Sequence, residues 1–191
     1  MLQAIAAADA AGLHPIKINA VVMPGVNEED IVPLADYAVH HGAQLRFIEQ
    51  MPLGPREQWR REDMVTAEDI LARLRTHFSM TPAREPRGSA PAALWEVSAP
   101  DGTHGTLGII ASVTHPFCGD CDRTRLTTDG AIRNCLFGNS ETPLRDLLRS
   151  GASDAEIMEA WAGEMWTKKP GHGIDDEGFL QPDRPMSAIG G

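Results

Sequence analysis

The chain has 191 residues, of which 42% are hydrophobic and 23% charged, and its formal net charge is −10. This length suits one large or two small domains, and the composition is that of an ordinary globular protein. The negative charge argues against a general nucleic-acid surface, and no apolar run approaches the roughly 20 residues that span a bilayer. We therefore expect neither a nucleic-acid polymer nor a membrane as a partner.

The first part of the chain predicts alternating helices and strands. An alanine-rich helix over residues 2–11 ends at Gly12, and strands follow at residues 16–22 and 44–48. Between the strands, Asn27 is expected to cap a helix that runs to Gly42. Helix and strand in alternation with short connections indicate a parallel sheet of the α/β class. Two strands are too few to close a sheet or a barrel, so we expect part of an α/β domain.

The pattern changes after the second strand, where residues 52–64 are expected to form a loop. Thr66 is expected to cap a helix, and a stretch rich in Pro, Gly and Ala at residues 81–93 is the expected boundary between domains 1–80 and 81–191. Two strands, at residues 94–98 and 106–113, flank a turn signal in the second domain.

Two helices are predicted near the end of the chain. The first follows Thr142-Pro143, and the second begins at a capping box formed by Ser153 and Glu156. On the second helix an apolar stripe predicts core packing. It consists of Ile157, Trp161 and Met165.

All three cysteines lie within 18 residues, as Cys118, Cys121 and Cys135, in a C-x2-C-x13-C pattern. Thiolates two residues apart can bind one metal centre from a single turn, and a third can complete the site from the next element. Three cysteines cannot pair completely, and the chain shows no export signal, so we expect a reducing, cytoplasmic compartment.

The cysteine spacing alone leaves several chemistries open. A thioredoxin-like pair is expected at the mouth of a βαβ unit, whereas this pair follows a predicted hairpin. A zinc deaminase requires an H-x-E motif, which the chain lacks. A structural zinc site, completed by a histidine such as His115, and buried thiols without a metal both remain open at this point.

The motif around the cysteines reads C-x2-C-x-R-x-R-L-T-x-D-G…C-L-F, and an L-R-D-L-L helix and a terminal I-G-G follow it. With residues 16–22, 25–27 and 45–52, it resembles the C-terminal half of the MoaA family, the radical S-adenosylmethionine GTP 3′,8-cyclases of molybdenum cofactor biosynthesis. The resemblance covers nearly the whole chain. It implies the C-terminal part of an incomplete (β/α) barrel of the radical SAM type, followed by an α+β C-terminal domain that carries an iron–sulfur cluster.

The resemblance also implies roles for individual residues. Cys118, Cys121 and Cys135 would hold a [4Fe–4S] cluster with one open iron, which could bind the guanine base of GTP. Other residues would bind GTP, catalyse the reaction or contact S-adenosylmethionine. These are Lys17, Arg123, Thr124 and Arg125 for GTP, Arg123, Gly190 and Gly191 for catalysis, and Met51 for S-adenosylmethionine.

The residues themselves support the GTP sites in part. Arg123 and Arg125 are two apart and so share a face of an extended segment, where guanidinium forks match phosphate oxygens. The alternative is that they pair with nearby acids: Asp120, Asp122 or Asp129. Lys17 interrupts an apolar strand, so it either meets an anion or lies in water on an edge strand. Glu49 could equally be a surface carboxylate.

One departure from the family concerns catalysis. The family holds a first cluster through a C-x3-C-x2-C motif, and this chain has no such motif. We therefore expect the isolated chain to be inactive, with S-adenosylmethionine and this first cluster bound only by the full-length protein. The alternative function is a non-catalytic, zinc-stabilised binding module. Because uncovered parallel strands expose edges, we also expect association, with a homodimer as the candidate assembly.

Overall fold

A computed structural model describes residues 2–54 and 59–189 and shows an α/β chain. It divides into two compact units. The first comprises Met1–Gln50 and Glu62–His115, and the second comprises Met51–Arg61 and Pro116–Gly191. Among the residues described, no helix is long and apolar enough to cross a membrane.

The first unit is a five-stranded sheet with helices. Its helices are α1 (Leu2–Ala10), α2 (Ile31–His40) and α3 (Ala67–Arg75), with a 3-10 turn at Glu28–Asp30. Its strands are β1 (Lys17–Val22), β2 (Gln44–Glu49), β3 (Ser79–Pro82), β4 (Ala93–Ser98) and β5 (His104–Ile110). The strand order is β1-β2-β5-β4-β3, in which β1, β2 and β5 are parallel and the remaining pairs are antiparallel.

The core of the first unit follows from the period of its strands. Leu45 and Phe47 on β2 are buried and alternate with half-buried neighbours, because successive side chains point to opposite faces of the sheet. Leu107 on β5 pairs with Leu45 and is also fully buried. The apolar stripes of α2 and α3 belong to the same hydrophobic cluster, so helices and sheet share one core.

Two local expectations for the first unit differ from the structure. Asn27 precedes the Glu28–Asp30 turn but does not cap it. Its side-chain oxygen instead accepts from the Met23 N–H (2.8 Å), and its amide donates to the Val21 carbonyl (2.9 Å), so it closes the loop after β1. The sequence prediction also lacked β3, whose four residues are too few for a recognisable alternation.

The compact units do not divide at residues 80/81, where the domain boundary was expected. β5 forms a parallel ladder with β2, and β4 pairs with β5, so residues 93–110 belong to the same sheet as the first strands. The divisions instead fall between His115 and Pro116 and on either side of residues 51–61.

The second unit contains short strands and two helices. Its strands are β6 (Arg125–Leu126), β7 (Ala131–Arg133) and β8 (Thr142–Pro143), which form an antiparallel sheet. Its helices are α4 (Leu144–Arg149) and α5 (Asp154–Trp166), with 3-10 turns at Cys118–Asp120 and Met186–Ala188. Gly130 turns the chain between β6 and β7 at a φ of +85°, and a Cβ there would lie 2.7 Å from that of Arg145.

The last helix, α5, is capped as predicted but packs differently. Ser153 and Glu156 form the capping box. The prediction of a buried apolar stripe is wrong for Trp161, which is 41% exposed, whereas Ile157 and Met165 are half-buried. The fully buried residue of the helix is Glu164. The reason is a polar contact: the Glu164 carboxylate accepts from the Thr142 hydroxyl of β8 (2.8 Å), which turns that face toward the small sheet.

Candidate functional site

The second unit brings the three cysteines together. Cys118 begins the 3-10 turn, Cys121 follows it, and Cys135 lies in the loop after β7. All three are half-buried thiols outside any disulfide. Burial, and then the neighbouring Cys135 and Cys121, raise the pKa of the Cys118 thiol. The thiols are therefore close enough to affect one another's ionisation.

Two cations favour the ionised form of Cys121. Burial opposes ionisation, yet the pKa of Cys121 lies below its ordinary value, because a hydrogen bond from the Arg123 backbone and the charge of Lys168 together outweigh burial. An Arg123 guanidinium N–H also points at the Cys121 sulfur over 3.7 Å. Thiolates are the ligands that zinc and iron–sulfur clusters require.

A segment after α5, residues 168–172, also contacts the cysteines. The Lys168 ammonium donates to the backbone carbonyls of Arg123 (2.7 Å) and Asn134 (2.5 Å). The backbone N–H of His172 donates to the Cys118 thiol. The His172 ring stands edge-on to Phe137, two residues past Cys135, with ring centroids 5.4 Å apart. The segment thus touches each stretch of chain that bears a cysteine.

The thiol set bears on which metal group the residues fit. Within residues 2–54 and 59–189, no three His, Cys, Asp or Glu side chains are close enough to hold a single metal ion. Bonds of about 2.3 Å to zinc would bring thiolates within roughly 4 Å of one another. A four-iron cluster is wider than one ion, so its thiolates lie farther apart. Three half-buried thiols beside cations are a donor set that suits an iron–sulfur cluster.

The arginines past the second cysteine form a group of positive charge. Burial, followed by the charge of Arg123, lowers the pKa of Arg125, and the charge of Arg133 acts in the same direction. The thiols of Cys121 and Cys135 act against this shift. Three guanidinium groups therefore lie near the thiols, in a chain whose net charge is negative.

Arg133 holds the loop that carries Cys135. It is fully buried on β7, forms an ion pair with Glu141 (3.1 Å) and donates to the Gly138 carbonyl. Both partners lie in the loop between β7 and β8. We conclude that Arg133 has a structural role. The Thr124 hydroxyl, by contrast, is buried without a hydrogen-bond partner among the residues described.

The chain end is fastened to the β6–β7 turn. Two Arg184 guanidinium N–H groups donate to the two carboxylate oxygens of Asp129, over 2.9 and 2.6 Å. The Thr128 backbone N–H donates to the Ala188 carbonyl (3.4 Å), and Ile189 is fully buried. The Asp129 carboxylate is thus engaged by Arg184. The expected catalytic residues Gly190 and Gly191 lie outside the described residues.

The first unit carries a separate pair of cations. Lys17 is exposed on β1, an edge strand of this sheet, and its expected role in binding GTP stays a prediction. Asn19, two residues along β1 and on the same face, pairs with Arg46 of β2, so Arg46 shares the face of Lys17. The sequence analysis missed Arg46, although a cation in an otherwise apolar strand, the signal used for Lys17, was there to find it.

Gly108 of β5 pairs with Arg46 and leaves room for it. A Cβ on Gly108 would lie 3.0 Å from the Arg46 Cγ. Met51, the expected contact of S-adenosylmethionine, is half-buried two residues past β2 and is assigned to the second unit.

Glu49, at the end of β2, is fully buried and is not the surface carboxylate that the sequence allowed. Its carboxylate accepts from the backbone N–H groups of Ala67 (2.8 Å), Val113 (2.8 Å) and Thr114 (2.9 Å), and from the Thr114 hydroxyl (2.5 Å). One carboxylate therefore joins the carboxyl end of β2, the start of α3 and the segment after β5. In open α/β sheets, ligands bind at the carboxyl ends of parallel strands.

Comparison with known proteins gives the family. A family model described as Molybdenum Cofactor Synthesis C matches residues 43–174. The chain belongs to this family. Over its full length the chain is 76% identical to a GTP 3′,8-cyclase of Corynebacterium glutamicum and covers 51% of that protein. Proteins of the same name from Mycolicibacterium smegmatis and Mycobacterium ulcerans are 56% and 55% identical, each covered to 53%. The chain thus spans about half the length of these family relatives.

Proposed function

We propose that the chain is the GTP-binding and second-cluster-binding portion of a GTP 3′,8-cyclase. The observation that carries the proposal is the group of three neighbouring thiols with arginines and a lysine around it. Membership of the molybdenum cofactor synthesis family and the names of the relatives support it. In this proposal the first unit is the C-terminal part of a radical SAM barrel, and the second is the cluster-binding domain.

Cys118, Cys121 and Cys135 would hold a [4Fe–4S] cluster. Bound there, a cluster with three protein ligands would offer an open iron to a nitrogen or oxygen of the guanine base. Arg123 and Arg125 bind phosphate oxygens through their guanidinium forks. The buried Thr124 hydroxyl supplies a further hydrogen bond, which would explain why it has no partner among the described residues.

The first unit contributes further cations to nucleotide binding. Lys17 and Arg46 lie on one face of β1 and β2, and each is proposed to bind a phosphate oxygen. A side chain at Gly108 would crowd the Arg46 side chain, because a Cβ there would lie 3.0 Å from the Arg46 Cγ.

The whole cyclase would convert GTP to (8S)-3′,8-cyclo-7,8-dihydroguanosine 5′-triphosphate. S-adenosylmethionine, which Met51 contacts, and another [4Fe–4S] cluster belong to that longer protein, and Gly190 and Gly191 would act beside the substrate. The 191-residue chain alone lacks the C-x3-C-x2-C motif and should not cleave S-adenosylmethionine, even with its cluster rebuilt. Release of 5′-deoxyadenosine above background by the reduced chain would refute this.

The GTP site is tested by calorimetry on the anaerobically reconstituted chain. Losing a charge-assisted phosphate contact costs about 1.5–3 kcal/mol, or roughly tenfold or more in affinity. Arg123→Ala and Arg125→Ala should therefore weaken GTP and GDP strongly and guanosine hardly at all. Arg149→Ala, at the exposed end of α4, is the matched control and should bind all three ligands like the wild type. Equal losses for GTP and guanosine would make the arginines structural.

The cluster is tested by metal analysis of the same preparation. We expect four iron and four sulfide ions per chain. Both should be lost when any of the three cysteines is replaced by serine. Stoichiometric zinc without iron would instead support the zinc-stabilised binding module.

A further inference from the structure

Lys168 has an unusual set of partners for a lysine just past the end of a helix. A lysine ammonium has three N–H donors and no acceptor. One donor goes to the Arg123 carbonyl (2.7 Å) and one to the Asn134 carbonyl (2.5 Å). The charge of the ammonium also lies close enough to Cys121 to act on that thiol. Its donors are thus directed to the cysteine-bearing stretches and not to a carboxylate.

The two carbonyls come from the two segments that supply the cysteines. Arg123 is two residues past Cys121, and Asn134 immediately precedes Cys135. These segments are joined in sequence only through the β6–β7 hairpin. The ammonium therefore bridges them at the point where both approach the thiols.

The end of α5 holds Lys168 in place. The Asn134 side-chain amide donates to the Glu164 carbonyl (2.9 Å) and to the Thr167 hydroxyl (2.8 Å). Both acceptors lie in the last turn of α5 or directly after it. Asn134 therefore contacts the end of α5 through its side chain and Lys168 through its backbone carbonyl. These short contacts set the position of Lys168 relative to Cys135.

We propose that Lys168 is a positioning residue for the cluster site: it joins the two ligand segments and supplies a fixed positive charge beside the thiolates. The inference rests on the proposed cluster. A reduced cluster carries one more negative charge than an oxidised one, so a cation held nearby favours reduction. Lys168 thereby raises the reduction potential of the cluster, as hydrogen bonds and charge near the cluster sulfurs are known to do.

Three variants separate the bridge from the charge. Lys168→Arg keeps the charge, Lys168→Gln keeps donors without the charge, and Lys168→Met keeps the length without either. Lys169→Met is the matched control, since Lys169 is the next residue, has the same charge and is exposed.

The bridge is measured without any cluster, by hydrogen exchange on the reduced, metal-free chain. Losing hydrogen bonds from a charged donor should lower protection about tenfold or more in residues 121–124 and 133–136 of Lys168→Met. Lys169→Met should exchange like the wild type. Unchanged protection in Lys168→Met would overturn the bridge.

The charge is measured by spectroelectrochemical titration of the reconstituted proteins. Lys168→Gln should have a more negative midpoint potential than the wild type, Lys168→Arg should restore it, and Lys169→Met should leave it unchanged. A purely structural lysine would lower cluster occupancy without moving the potential of the clusters that remain, and that result would overturn the electrostatic role. A wild-type chain that takes up no cluster would refute the proposed function itself, together with the electrostatic role. Normal cluster uptake, with amide protection and midpoint potentials in the Lys168 variants equal to those of the wild type, would refute the Lys168 inference alone.

Discussion

The interiors of the two units are stabilised by different kinds of contact. The first has a continuous cluster of buried aliphatic and aromatic side chains between sheet and helices. In the second, the larger buried apolar side chains that the structure describes are Ile132, Leu144 and Ile189, and they share the interior with Arg133 and Glu164. Its strands have two or three residues, whereas strands of the first unit have four to seven.

This contrast shows what a metal centre would add. Small units bury too little apolar surface to be stable alone, and disulfides or metals commonly make up the difference. The second unit has polar fastenings, such as the forked pair of Arg184 and Asp129, and three free thiols. We infer that the proposed metal centre adds to the stability of the second unit, which folds less stably without it, and that the first unit does not need it.

Removing the metal centre should have the largest effect and should be confined to the second unit. Metal binding energy is folding energy when the site is formed only in the folded state. Chelation, or Cys135→Ser, should make residues 116–189 more sensitive to limited proteolysis than in the metal-loaded chain, while fragments from residues 62–115 stay equally resistant. Mass spectrometry of the digest would locate the cuts. Equal resistance with and without metal would contradict the contrast.

Truncating a core side chain of the first unit should have the next largest effect. Leu107 is fully buried between neighbouring strands, so Leu107→Ala should lower the free energy of unfolding by about 2–5 kcal/mol, through lost burial and a cavity. Urea denaturation would measure the change. Leu13→Ala, at a side chain that is 65% exposed, should stay within about 0.5 kcal/mol of the wild type.

Glu49→Gln should have a smaller effect within the same unit. The amide has one acceptor oxygen in place of two, and its NH₂ group would face backbone donors, so a loss of about 1–3 kcal/mol is expected. The amides of Val113 and Thr114 should also exchange faster by NMR. Glu96→Gln, at an exposed position of β4, is the control. If Glu49→Gln and Glu96→Gln have the same free energy of unfolding, the hydrogen bonds of the buried Glu49 carboxylate do not stabilise the unit.

The Arg184–Asp129 pair should have the smallest effect, visible as a pH dependence. The hydrogen bonds from Arg184, and then from Thr127, hold the pKa of Asp129 well below its usual range. The unfolded chain therefore binds a proton at a higher pH than the folded chain, and the stabilisation is present above about pH 4 and lost as pH falls below it.

The measurement compares wild type and Asp129→Asn by denaturation between pH 7 and pH 2.5. The difference in unfolding free energy should be constant near neutrality and shrink below about pH 4. Glu159→Gln, exposed on α5, should show no such convergence. A constant difference across the range would show that the pair is not coupled to folding.

Local signals account for most of what the sequence could predict about the fold. The capping boxes at Thr66 and Ser153 were predictable because each lies within four consecutive residues and needs no distant partner. The strands of the small sheet were not, since two or three residues cannot show a period. The apolar stripe of α5 was misread because which face of a helix is buried depends on its neighbours.

The candidate site divides in the same way. The spacing of Cys118 and Cys121 is local, and the grouping of all three thiols was expected from it. The partners of Glu49 lie 18 to 65 residues away, and those of Lys168 lie 34 and 45 residues away, so no pattern in the sequence joins them. The roles of Arg123, Arg125, Lys17 and Met51 stay predictions until ligands are measured.

The two edges of the large sheet give it a direction of growth. β3 is short and contains Pro82, which has no backbone N–H to donate, so this edge accepts another strand poorly. β1 has six residues without proline and belongs to the parallel part of the sheet. A partner strand would therefore pair with β1 and extend the parallel ladder there. The first unit thus has one edge that favours strand pairing and one that disfavours it.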